Sequence, residues 1–260
     1  MKATFLSSGM MLSFVGFALF SISDACSKGL AGHLDPFEVA FSGGVLGFLI
    51  LPFIRKPHEP YSDIFATDRP SMWLLRAVST FVSTAASVMA FMLLPMPEAL
   101  ALMFLMPFFV AVISVGLLKE KVSGWTWLSV AVGFLGVLIV LRPGVRAFHL
   151  GHLCAVIAAA ANATSVIADR LAGNNSARLS LFGSSLFGPL IGDGLLMLTH
   201  ASWPHGFTTW ALLFGYGFLA ALGQLFMMMA TALAPANRVA LPQYSQMLWA
   251  VAFSYVLFHQ

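Results

Sequence analysis

The chain has 260 residues, 59% of them hydrophobic and only 9% charged, with a mean hydropathy of +0.89. A soluble globular domain carries about 25% charged residues, so this composition excludes a water-soluble body and points to an integral membrane protein. The net charge of +3 is not gathered in any basic run, which argues against a nucleic-acid partner and leaves membrane topology to account for the cations.

A membrane-spanning helix needs about 20 predominantly apolar residues. Nine segments qualify, roughly 8–30, 36–54, 72–93, 98–118, 124–141, 150–170, 179–198, 208–231 and 239–258. Each is too long for a core strand, and the breaks hold Pro, Gly, Asn or charge. The expected fold class is therefore all-α, a polytopic membrane helical bundle embedded in the lipid bilayer. The first run follows Lys2, has no small-residue cleavage site and ends in Asp-Ala-Cys-Ser-Lys, so it reads as a retained helix. The one long polar connection is 55–71, "RKPHEPYSDIFATDRPS".

With the N-terminus inside, the inner positions hold Lys2, Arg55, Lys56, Arg69, Arg76, Lys119, Lys121, Arg170, Arg178 and Arg238. The outer ones hold Lys28, Arg142 and Arg146. That bias obeys the positive-inside rule and predicts a cytoplasmic N-terminus.

Sliding the chain by 140 residues pairs Met89-Ala90 with Met229-Ala230, Leu93 with Leu233, Pro95 with Pro235, Ser114 with Ser254 and Leu117 with Leu257. A slip of one more residue pairs Leu30-Ala31-Gly32 with Leu171-Ala172-Gly173, Phe41 with Phe182 and Gly47 with Gly188. The break positions and span lengths match as well, which predicts an internal repeat of residues 1–145 and 146–260. The first unit has five spans, an odd number, so the second must enter the membrane inverted, as in many secondary transporters. Nine of ten transmembrane helices are expected, two inverted five-helix repeats with the tenth helix missing.

Three stretches carry a resemblance: "FALFSISDACSKGLAGHLDPFEVAFSGG" near the start, the run from "LLRAVSTFVSTAASVMAFMLLPMPEALALMFLMPFF" through "LRPG", and "APANRVALPQYSQMLWAVAFSYVLF". The sequence resembles the EamA-type members of the drug/metabolite transporter superfamily. The resemblance rests on Arg76 opening the third helix, Pro95 before the fourth, Pro107 within it and Glu120 after it. It implies two five-helix repeats and transport of small molecules. The departures are His259-Gln260, where the family usually has Gly-Glu, and the absent tenth helix.

No zinc-binding His-Glu-x-x-His, nucleophile elbow or phosphate-cradling glycine loop occurs, so no enzyme, metal or cofactor is expected. Cys26 and Cys154 lie inside apolar segments and read as buried thiols. Polar groups within a span usually face the bundle interior or a wet cavity. Asp24 and Lys28 are four apart on the first helix. They read either as an ion pair near the outer interface or as a site where Asp24 binds a proton or a cationic substrate group, tuned by Lys28. Glu38 and Glu98 begin helices and read as caps. Arg76 reads as a topology anchor, Asp193 as a headgroup-level residue, and His149, His152, His200 and His205 as interfacial.

Deeper positions carry hydroxyls, amides and sulfur: Ser83, Thr84, Ser87, Met103, Met106, Asn162, Gln224, Gln243, Tyr244 and Gln246. The repeat pairs Thr84 with Gln224, Met103 with Gln243 and Met106 with Gln246. Each alone could serve helix packing; as a set, with Asp24, they are read as the lining of a substrate cavity. Spans four and nine hold no mid-depth Lys or Arg, which disfavours polyphosphorylated cargo. The expected function is inner-membrane secondary transport of a neutral, zwitterionic or amphiphilic metabolite or drug by alternating access, with a proton gradient as candidate driving force and Asp24 as its carrier. The alternative is a truncated, non-transporting paralogue or fragment.

Overall fold

The computed structural model describes residues 2–55, 58–117, 149–172, 178–198, 204–233 and 241–258, with a few isolated helical positions between 124 and 135. The expected fifth span, the Lys119-Glu120 pair, Arg142, Arg146, Arg238, His259-Gln260 and the boundary between the two units lie outside the described residues. The fold is helical: α1 (Lys2–Gly29), α2 (Pro36–Gly47), α3 (Leu51–Ile54), α4 (Pro70–Leu93), α5 (Met96–Met103), α6 (Met106–Leu117), α7 (Leu150–Ala172), α8 (Arg178–Met197), α9 (Phe207–Leu233) and α10 (Ser245–Phe258). Short 3-10 segments cover Phe48–Ile50, Tyr61–Phe65 and Leu241–Tyr244. The side of the bundle where α1 begins is called the near face here, and the opposite side the far face.

Local chemistry sets the ends. Asp35 caps α2 by accepting from the Phe37 amide at 2.9 Å, and its own amide donates to Glu38 Oε2 at 3.0 Å. With Pro36 in the first turn this is a complete capping box, worth about 1 kcal/mol. Glu38 is thus the cap that its position suggested. Helix α4 starts on Pro70 and stops where Pro95 forces Leu94 into an extended conformation (φ −117°, ψ 159°). The turn after α1 uses Gly32 at φ +79°, and Gly206 at φ +85° precedes α9; only glycine takes such angles without cost.

Proline also corrects one expectation. The segment read as a single helix over 98–118 is two helices, α5 and α6, with a turn at Phe104–Leu105. Pro107 has no N–H to give the Met103 carbonyl and its ring crowds that carbonyl, so the helical ladder is cut there.

The two most extensive interfaces run along α1 with α9 and along α4 with α7. Helix α2 packs on both α8 and α9, α4 also packs on α8, α5 and α6 lie against α7, and α10 lies against α1 and α5. Lipid tails are as apolar as leucine, so close backbone approach and hydrogen bonds hold such helices together. Small residues mark those approaches. A Cβ on Gly16 would stand 3.2 Å from the Gly223 carbonyl oxygen, and one on Gly188 would collide with the Ala77 carbonyl. Ser23 Oγ adds a 2.8 Å bond to the Tyr216 carbonyl across α1 and α9.

Large apolar side chains remain on the outside, among them Phe53, Leu74, Ile191, Leu195 and Trp210. A bilayer covers such a belt; water would not. Seven helical stretches among the described residues are long and apolar enough to cross a membrane: Gly9–Gly29, Pro36–Ile54, Pro70–Leu93, Met96–Ile113, Leu150–Ala168, Leu179–Met197 and Phe207–Met227. The protein is a multi-pass membrane protein. The ninth expected segment contributes the Leu241–Tyr244 turn and the 14-residue α10.

Candidate functional site

The helices that carry the expected lining meet around one apolar body. It joins Ala25 of α1, Ala86 and Ala90 of α4, Leu100 and Leu102 of α5 and Ala155, Ala158 and Ala159 of α7, with Met103, Met106 and Phe253 of α10 packed against it. Met103 and Met106 thus flank the α5–α6 break, and both pack on this body. Trp249 of α10 stacks on Phe253 and approaches Phe14 of α1, with ring centroids 6.3 and 6.4 Å apart.

The expected polar groups lie on the same helices and on α9. Ser83 Oγ donates to the Ala158 carbonyl of α7 at 3.3 Å, and Ser87 Oγ donates to the Ser83 carbonyl at 2.6 Å. Thr84 on the same helix is half-buried. Gln246 of α10 is buried, and Gln243, in the turn before it, is half-buried. Tyr244 belongs to that turn, but its side chain lies outside the description. Gln224 is half-buried on α9, beside the Gly16–Gly223 crossing and nearer the near face. Asn162 is exposed on α7, although its neighbour Ala163 is buried. Six of the seven helices that bear the set therefore share one cluster, and Gln224 stands off on the seventh, α9.

Asp24 is half-buried on α1, next to Ala25 of the cluster. The expected ion pair with Lys28 does not form. Lys28 Nζ instead donates to the Leu94 carbonyl at 2.7 Å, the C-terminal end of α4. A helix end carries partial negative charge, so the ammonium gains a charge-assisted bond there that a flexible pair within α1 would not give. The Asp24 carboxylate is left without hydrogen bond or ion pair among the described residues.

Four further groups escaped the sequence reading. Asp193, read as a headgroup-level residue, is fully buried in α8, four residues before that helix ends. Gly192 and Gly194 on either side were the available signal, because glycines flanking an acid let neighbouring helices close over it. Arg76 is no surface anchor either. It is buried and donates to the Leu181 carbonyl and, at 2.7 Å, to Ser184 Oγ, so it holds α4 to α8. Beside it, Thr67, Met72, Trp73, Ala168, Ser180 and Leu181 enclose a pocket of about 10 Å³. On the far face His152 is buried against Glu98, Nε2 to Oε1 at 3.0 Å. The His149 amide donates to His152 Nδ1 at 3.0 Å, so Nε2 carries the ring hydrogen and donates to Glu98. That bond ties the start of α5 to the start of α7.

A spanning helical bundle with a helix broken at a proline is an architecture found in many membrane transporters. A profile of the EamA-like transporter family matches residues 7–142, and the chain belongs to that family. The S-adenosylmethionine uptake transporter of Rickettsia prowazekii (strain Madrid E) is 25% identical over 92% of this chain and 81% of its own length. The riboflavin transporter of Vibrio cholerae serotype O1 is 33% identical over 56% of this chain and 49% of its own. The pseudopaline exporter of Pseudomonas aeruginosa (strain UCBPP-PA14) is 25% identical over 92% and 84%. A chain of known crystal structure superposes with a TM-score of 0.55 at 18% identity, covering 97% of both, a likeness of fold alone.

Proposed function

We propose that the protein is a secondary transporter of a small zwitterionic or amphiphilic metabolite in a bacterial inner membrane, with its N-terminus cytoplasmic, working by alternating access between two inverted halves. The packing pattern carries this reading. A shift of 140 residues takes α1 onto α7, α2 onto α8 and α4 onto α9. The α1–α9 interface then corresponds to α7–α4, and α2–α9 to α8–α4, so each major contact is made twice. Two equivalent halves with one interior give a site that either face can open.

The interior favours cargo with an exposed cationic group and a large apolar or aromatic part. Asp24 offers an unengaged carboxylate, Gln243 and Gln246 offer amides, and Met103 and Met106 offer adaptable apolar wall. S-adenosylmethionine, the cargo in the name of one relative, has that character. The relatives are named both for uptake and for export, so direction is left to the experiment. Purified protein in proteoliposomes should take up labelled S-adenosylmethionine or riboflavin saturably, faster when a proton gradient is imposed. Asp24→Asn should lower the rate at least about tenfold, as loss of a charge-assisted contact does, and should abolish the gradient's effect. Rates equal to protein-free vesicles for both probes and for a panel of zwitterionic metabolites would overturn the proposal.

A further inference from the structure

Asp193 is 0% exposed, and neither of its carboxyl oxygens has a hydrogen-bond partner among the described residues. Its surroundings are apolar and close. A Cβ on Gly192 would run into the Phe81 ring of α4, and one on Gly194 would stand 3.0 Å from the Phe41 ring of α2. Tyr216 is buried on α9 against Gly43 of α2.

Few charged or titratable groups lie on the elements packed against α8. Helix α4 has Arg76, α2 has Glu38, and the 61–65 segment has Tyr61 and Asp63. Arg76 bonds Ser184, nine residues and so about 13 Å along the helix from Asp193. Glu38 belongs to the capping box of α2, and Tyr61 and Asp63 sit at the near face, beyond Arg76. Among the described residues no cation is at hand to neutralise a carboxylate, and burying an unpaired one is among the costliest acts in protein structure. A metal ion would need several oxygen ligands, and no group of three His, Cys, Asp or Glu side chains comes together among the described residues. The cation that an isolated carboxyl can hold is a proton.

We infer that Asp193 is an occluded proton-binding site, a carboxyl group loaded from water and sealed by the close contact of α2 and α4 with α8. When those helices part and water enters, the carboxyl gives its proton to a water molecule, leaving a carboxylate and a hydronium ion; closure requires the reverse. The bound proton stands independently of the transport reading, whereas its use in transport rests on it.

Infrared spectroscopy of the full chain in lipid nanodiscs at neutral pH tests the site directly. The wild type should show the carbonyl stretch of a protonated carboxyl group, shifted in heavy water. Asp193→Asn should lose that band, Asp193→Glu should move it, and Asp24→Asn should keep it. A wild type without the band, or a band that survives both Asp193 substitutions, overturns the inference. If Asp193→Asn fails to fold, the position of the band in Asp193→Glu decides alone. In proteoliposomes, the pH dependence of gradient-driven uptake of S-adenosylmethionine should shift in Asp193→Glu and be lost in Asp193→Asn. Unchanged dependence in Asp193→Glu, with the band displaced, overturns the coupling and leaves the proton site standing.

Discussion

Lys28 and His152 show what single positions do when their neighbours along the chain are not their partners in space. Spacing alone offered Asp24 to Lys28 and the membrane surface to His152. The fold gives Lys28 a helix end 66 residues away and gives His152 the Glu98 carboxylate. Sequence can say which groups need partners, because an unsatisfied buried group costs about 1–3 kcal/mol, but it cannot say who supplies them. The Glu98–His152 bond makes a measurable prediction at this scale. Glu98→Ala should lower stability by about 1–3 kcal/mol, read as a drop in thermal midpoint of the detergent-solubilised protein. Glu98→Gln keeps an acceptor for His152 Nε2 and should recover more than half of that loss. Equal midpoints for the two variants would remove the bond from the account.

Among the elements, hydropathy proved a good ruler. The expected runs 36–54, 72–93, 150–170, 179–198 and 208–231 fall within a few residues of the observed helices. Length against a bilayer is a one-dimensional constraint, which a linear sequence carries well. Facing is two-dimensional, and low contrast around a nearly all-apolar helix hides it; hence Asn162 turned out exposed and Asp193 buried. Glycine contacts give this scale its prediction. Gly188→Leu would press on the Ala77 carbonyl and force α8 from α4, a destabilisation of about 1–3 kcal/mol. Gly116→Ala in α6 meets nothing within 4 Å and should be neutral or stabilising by up to about 1 kcal/mol. Melting both variants beside the wild type checks the contrast, and a harmless Gly188→Leu would mean the two helices are not held together at that point.

For the whole molecule, the orientation proposed from Lys and Arg placement can be read with single cysteines. In a background free of Cys26 and Cys154, the exposed positions His33 and His205 on the far face and Ser62 on the near face are suitable sites. A membrane-impermeant maleimide added to intact cells should label His33→Cys and His205→Cys and spare Ser62→Cys until the cells are broken. The reverse pattern would invert the molecule. The helical, multi-pass character was readable in advance, because length and hydropathy alone mark the spans. The occluded acid in α8 was not, because burial of that kind is a property of three helices meeting and belongs to no single one of them.

Pro107 has a mechanical consequence. A continuous helix is a stiff rod, so a push at one end arrives at the other. The span from Met96 to Leu117 is two short levers on a pin, with the turn at Phe104–Leu105 as the pin and both levers resting on α7. The lever toward the far face is clamped to the start of α7 by Glu98, and among the described residues no such bond holds the other. Under the proposed alternating access, one half of the span can swing while the other keeps its seat, so that opening one mouth of the bundle need not open the other.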